Sequence, residues 1–143
     1  MELVRSTRSS FFVGEEGTFS RTFTQEDVQT FNTLSGDTTP VHLDEDFARE
    51  TRFRGRIIHG LLVASLISSV LGTILPGPGC VYLSQQPSFR APARVGDRLT
   101  AKVRVTDWDA TKGRIILATE VVNESEVQLI VGEAKLVVSS FLK

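Results

Sequence analysis

The sequence predicts an α+β fold in a single domain over residues 1–143, a curved antiparallel sheet wrapped around one apolar helix. Three observations predict it. The stretch Gly60 to Leu75, GLLVASLISSVLGTIL, has no formal charge and no proline, and no charged residue occurs from His59 to Phe89. After it the pattern changes to period two: Leu99, Ala101, Val103 and Val105 alternate with Thr100, Lys102, Arg104 and Thr106. Short turn-forming segments then punctuate the chain, notably DATKG at 109–113 and Glu124 to Glu126.

The apolar stretch reads as a helix with Leu, Val and Ile on every side, a pattern that belongs inside a protein. At about 1.5 Å per residue it would be roughly 24 Å long, short of a bilayer core. Pro76, Gly77, Pro78 and Gly79 stop it. A length of 143 residues suits one domain with a real core. The net charge of −1 and pI near 6.1 give no electrostatic footprint for nucleic acid or an acidic membrane. A single cysteine, Cys80, excludes an intramolecular disulfide and reads as a buried inert thiol.

In chain order, residues 1–17 lack an apolar run long enough for a secretory signal. Arg5, Ser6, Arg8, Ser9 and Ser10 carry a trace of an organellar presequence, against which Glu2 argues. A cytoplasmic location is expected, with a mitochondrial one as the alternative. Glu16 to Phe23 reads as a short strand. Thr24 then opens a helix through a capping box closed by Asp27, with Val28, Phe31 and Leu34 on its apolar face, and the helix ends at Ser35-Gly36. Asp44 caps a second, short helix to Glu50, with Phe47 and Ala48 turned inward. Arg49, Arg52, Arg54 and Arg56 form a basic patch. Beyond the apolar helix, strands are expected at 81–90, from 99, at 114–123 and at 127–142, joined as a curved meander, with Asp97 capping the 91–97 turn.

Only two histidines exist, His42 and His59. His42 follows Asp37 by five residues across Pro40, which stiffens the connection. A carboxylate and an imidazole facing one gap can hold a water molecule, one group taking its proton and the other orienting it. The plainer reading is an ordinary turn with His42 bonded to nearby backbone. A metal site on Asp37, His42, Asp44 and His59 would lack a compact ligand motif, and no metal is expected.

Phe31 to Ala48, FNTLSGDTTPVHLDEDFA, resembles the signature of the MaoC-like, (R)-specific enoyl-CoA hydratase family: Gly-Asp-x-Asn-Pro-aliphatic-His, five residues, then Ala or Ser. Gly36, Asp37, Pro40, Val41, His42 and Ala48 match it, whereas Thr39 stands where the family usually has Asn. IIHGLLVASLIS at 57–68 is similar to the family's entry into its central helix. PGPGCVYLSQQPSFRAPARVGD at 76–97 is similar to the mitochondrial 3-hydroxyacyl-thioester dehydratases within it.

The resemblance implies a hot-dog fold, a homodimer, no cofactor, and reversible hydration of trans-2-enoyl thioesters of coenzyme A or acyl carrier protein to (3R)-hydroxyacyl thioesters. It implies that Asp37 and His42 activate the water, and that the Gly60 backbone N–H receives charge on the thioester oxygen. Gly60 suits that role chemically, since it opens a helix and lets a carbonyl approach closely. Ser68 matches a serine near the pair, with a core serine bonded to its own helix as the alternative. Leu43, Phe47 and Ile58 are candidates for the acyl pocket, and Arg54 with its neighbouring arginines for the carrier's phosphates. His59 is expected to be a structural hydrogen-bonding residue. A hot-dog thioesterase and a non-catalytic acyl-thioester binding subunit are the two other readings.

Overall fold

The centre of the molecule is a three-strand meander made by the segments with the clearest period-two pattern. The computed structural model describes residues 8–138. Its elements are β1 (Glu16–Thr22), α1 (Gln25–Ser35), α2 (Pro40–Leu43), α3 (Glu45–Arg49), α4 (Gly60–Thr73), β2 (Cys80–Phe89), β3 (Arg98–Asp109), β4 (Arg114–Val122) and β5 (Gln128–Val138). The five strands form one antiparallel sheet in the order β1-β3-β4-β5-β2. The meander expected from sequence is therefore confined to β3-β4-β5. β1 closes one edge by pairing Glu16–Thr22 with Arg104–Arg98, and β2 forms the other by pairing with β5. The expected presequence-like residues 5 and 6, and positions 139–142 of the last strand, lie outside the described residues.

Alternation decides which face of each strand is covered. Leu99, Ala101, Val103 and Val105 are buried, as are Ile115, Leu117 and Val121 on β4. Their face receives α4, which packs on β1, β2, β3 and β4. Leu62, Val63, Leu66, Ile67, Val70 and Leu71 are buried there. The helix is not enclosed all round, as its composition suggested. Leu61 is 67% exposed, and Ser65, Ser68 and Gly72 continue that outward stripe. One five-strand sheet covers only one side of a helix.

The caps form as their chemistry requires. Thr24 Oγ1 accepts from the Asp27 N–H, and Asp27 Oδ2 accepts from the Thr24 N–H. Val28 is buried, but Leu34 is 83% exposed. Six residues on, at 100° each, Leu34 lies roughly 120° around the helix from Val28. Asp44 Oδ1 caps α3 by accepting from the Phe47 N–H. Ala48 is fully buried, whereas Phe47, the preceding residue on so short a helix, is half exposed rather than turned inward. The one-turn helix α2 was not anticipated; Pro40 starts it with its fixed φ, and the Asp44 N–H donates to the Pro40 carbonyl at 2.8 Å. Asp97 does brace the 91–97 turn, its Oδ2 accepting from the Arg94 N–H at 2.9 Å.

One glycine is dictated by close approach. Gly132 on β5 faces Pro87 on β2, and a Cβ there would sit 2.0 Å from the Gln86 carbonyl oxygen. Only a residue without a side chain lets β2 seat on β5 at this point.

Candidate active site

The 36–59 segment leaves the layer of α1 and returns at the start of α4. Gly36 ends α1 in the left-handed region, at φ 79°, and turns the chain towards Asp37. The Asp37 carboxylate is gripped from one side: Thr39 Oγ1 donates to Oδ1 at 2.6 Å and the Thr39 N–H donates to the same oxygen at 3.1 Å. These two bonds, the hydroxyl first, hold the carboxyl below its usual pKa, and the two nearby histidines act in the same direction. Thr39 therefore braces the carboxylate where an Asn was expected.

His42 sits on α2 with its Nδ1 2.9 Å from the Ile57 carbonyl oxygen. A carbonyl only accepts, so Nδ1 carries the hydrogen and Nε2 keeps a lone pair. His59, the residue before α4, is 2% exposed, and its Nε2 lies 3.1 Å from the Asp37 carbonyl oxygen. By the same logic Nε2 is the donor there. The other nitrogen, Nδ1, is buried without a partner. Burial is the main cause that lowers the His59 pKa, and His42 adds to it, so this ring is neutral at neutral pH. The two imidazoles stack at 3.8 Å between centroids, tilted by 27°. Phe31 from α1 meets His59 edge-on at 4.8 Å.

Donor atoms of Asp37, His42 and His59 lie within 4.8 Å of one another. The stack does not suit a shared metal ion. Imidazole lone pairs lie in the ring planes, and two planes 3.8 Å apart at a 27° tilt run side by side instead of converging at the short bond length a metal requires. Asp44, the fourth residue of the metal option, is engaged as the α3 cap.

These groups open on a cleft of about 640 Å³. Asp37, His42, His59, Gly60 and Ile58 line it, together with Phe89, the last residue of β2, and Arg90 after it. Gly60 is the first residue of α4, so its N–H has no partner within the helix. The Phe89 ring lies 2.8 Å from the position a Cβ on Gly60 would take, which leaves room for no larger residue without a shift.

The other residues singled out in the sequence lie elsewhere. Ser68 is exposed on the outward stripe of α4 and does not line the cleft. Leu43 packs against the hydrophobic core, and Phe47 is half exposed; neither lines the cleft. Arg54 lines a separate cleft of about 370 Å³, which shares His42 and Ile57 with the first. The basic residues at the main cleft are Arg52 and Arg90. Arg90 comes from a strand edge that sequence spacing does not connect to Asp37. The sequence reading placed His59 beside the pair only in the metal option; the structure brings it there as a hydrogen-bonding residue, through the Asp37 carbonyl, with its ring stacked on His42.

Residues 13–128 match the family described as a MaoC like domain. The chain belongs to this family. The (R)-specific enoyl-CoA hydratase of Rhodospirillum rubrum is 42% identical over 125 residues, covering 87% of this chain and 86% of that protein. The 3-hydroxybutyryl-CoA dehydratase of Methylorubrum extorquens is 47% identical over 106 residues, covering 74% of this chain and 68% of that protein. Among solved structures, the (R)-hydratase from A. caviae involved in PHA biosynthesis superposes with a TM-score of 0.87 at 40% identity, covering 92% of this chain and 99% of that one. The fold is the hot-dog fold of these MaoC-like proteins. Both named activities are those of hydro-lyases, which add or remove water at a carbon–carbon double bond. The mitochondrial 3-hydroxyacyl-[acyl-carrier-protein] dehydratase of Arabidopsis thaliana is a more distant relative, 33% identical over 125 residues.

Proposed function

We propose that the cleft hydrates trans-2-enoyl thioesters to (3R)-hydroxyacyl thioesters and catalyses the reverse dehydration. The observation that carries this reading is the meeting of an ionised Asp37, a His42 with a free Nε2 lone pair and the unshared Gly60 N–H in one cleft. Coenzyme A is the favoured carrier, because the more similar relatives are named for acyl-CoA substrates and the more distant one for acyl carrier protein.

In this mechanism the water lies between Asp37 and His42. The Asp37 carboxylate accepts one of its hydrogens and orients it. His42 Nε2 takes the other proton as oxygen bonds to C3 of the enoyl group. The electron pair of the double bond moves towards the thioester oxygen, where the Gly60 N–H and the positive end of α4 receive the charge. The imidazolium then returns its proton to C2. One water is consumed, the carbon–sulfur bond stays intact, and the enzyme ends as it began. Dehydration retraces these steps. A thioesterase would direct the same water at the carbonyl carbon and release a thiol.

The test is incubation with crotonyl-CoA, following the enoyl-thioester absorbance, free thiol and product chirality. Absorbance loss without thiol, giving the (3R) alcohol, is expected. Thiol release would make the protein a thioesterase. No turnover of crotonyl-CoA, longer enoyl-CoAs or carrier-protein substrates would leave a binding subunit and end the hydratase reading.

The same reading includes a cytoplasmic homodimer. Among the described residues no helix is long and apolar enough to cross a membrane. Among the described residues β2 is a ten-residue edge with no strand on its outer side, and Val81, Tyr82, Leu83 and Phe89 on it are at least 39% exposed. So long and apolar an edge is a liability unless a second strand covers it. Light scattering should give twice the chain mass of 15.7 kDa; a monomer at micromolar concentration would count against the dimer.

A further inference from the structure

We infer that His59 is a positioning residue, which sets the spacing of Asp37 and His42 through one hydrogen bond and one ring stack. The inference rests on the hydratase reading above.

Two contacts converge on this buried ring, and a third is made by the same residue's main chain. Its Nε2–H holds the main-chain carbonyl of Asp37, 22 residues earlier in the chain, at 3.1 Å. Its face lies against the His42 ring at 3.8 Å. Its own carbonyl accepts the Leu62 and Val63 N–H groups and so starts α4, immediately beside Gly60. The acid loop and the imidazole are thus referred to one side chain, and the start of α4 to the main chain of the same residue, which is only 2% exposed. The loop needs such an anchor. Asp37 and Thr39 bond to each other and the His42 N–H donates to the Thr39 carbonyl at 3.1 Å, which shapes the turn locally; the His59 bond ties that turn to the start of α4.

Phe31 against the edge of His59 leaves the ring little freedom to turn. The neutral state of His59 also matters. When His42 holds the proton in transit, its positive ring faces a neutral aromatic surface, an attractive arrangement. A second imidazolium at 3.8 Å would repel it. The unpartnered Nδ1 offers a second proton no acceptor, which agrees with a ring that stays neutral through the cycle.

The two contacts can be separated by substitution. His59→Gln keeps an amide donor near the Nε2 position and loses the stack; His59→Phe keeps a stacking ring and loses the donor; His59→Ala loses both. A loss of geometry on the order of an ångström costs about 100-fold in rate. His59→Ala is therefore expected to lower kcat for crotonyl-CoA about 100-fold with KM changed less than about threefold. Gln and Phe should each recover part of that loss. In a His42→Ala background, His59→Ala should cost less than about threefold more, because a residue acting through His42 has little left to position. Thermal melts of each variant separate these effects from failure to fold. Wild-type kcat in His59→Ala, a loss confined to KM, or a full 100-fold further loss in the His42→Ala background would each overturn the inference. A wild-type chain inactive on every enoyl thioester would instead overturn the hydratase reading.

Discussion

Asp37→Asn and His42→Ala are each expected to lower kcat for crotonyl-CoA hydration about 1,000-fold, the usual scale for a positioned acid–base group. The double variant should be scarcely worse than either single one, since half of a water-gripping pair does little alone. KM and the melting temperature should change little, because neither side chain is part of the hydrophobic core. Thr39→Val sharpens the point. It removes the hydroxyl bond that is the largest cause of the lowered Asp37 pKa, so the carboxyl pKa should rise towards its ordinary value. A rate that needs the carboxylate is lost as pH falls through that pKa. The titration of the Asp37 carboxyl itself, followed by NMR of the labelled side chain, should therefore move to higher pH in Thr39→Val and stay in place in Thr39→Ser. Near-normal turnover in both Asp37→Asn and His42→Ala would remove the pair from the mechanism.

Gly132→Ala should lower stability by about 3 kcal/mol, at the upper end of the usual cost of overpacking. The new methyl would meet the Gln86 carbonyl oxygen at 2.0 Å, its carbon at 2.9 Å and the Pro87 Cα at 3.1 Å. All three are backbone atoms, so no rotamer change relieves the contact and β2 must move off β5. β2 ends in Phe89, whose ring lies against Gly60. Stability and kcat should therefore fall together, which urea unfolding and crotonyl-CoA turnover on the same preparation would show. An unchanged unfolding midpoint would mean that β2 is not held against β5 as described.

Local chemistry was legible in the sequence wherever it acts over a few residues. The Thr24/Asp27 box, the Asp44 cap and the alternation from Leu99 to Val105 all depend on neighbours in the chain, and all form as read. Asp37 and His42 do come together, but their spacing alone left an ordinary turn as the plainer reading, and the pairing was implied by the resemblance. Burial direction was less legible. Leu34 and Phe47 are apolar residues on the wrong side of short helices, and only the packed neighbours reveal which side is wrong. Long-range pairing was not legible. No periodicity indicates that β2 pairs with β5, or that β1 pairs with β3. For the same reason the approach of His59 to the acid loop, and of Arg90 to the cleft, needed the structure.

The strand order also bears on how the chain is made. Translation delivers α4 before β2, β3 and β4, three of the four strands it packs on. Its apolar side chains, Leu62 to Leu71, therefore leave the ribosome with only the unpaired β1 behind them, and β3, the strand that covers them most, follows later in the chain. β1 waits longer still: its first residue, Glu16, pairs with Arg104. A nascent chain stalled before residue 98 would hold a poorly covered apolar helix and two strands, β1 and β2, without their sheet neighbours, the form of this protein in greatest need of a chaperone.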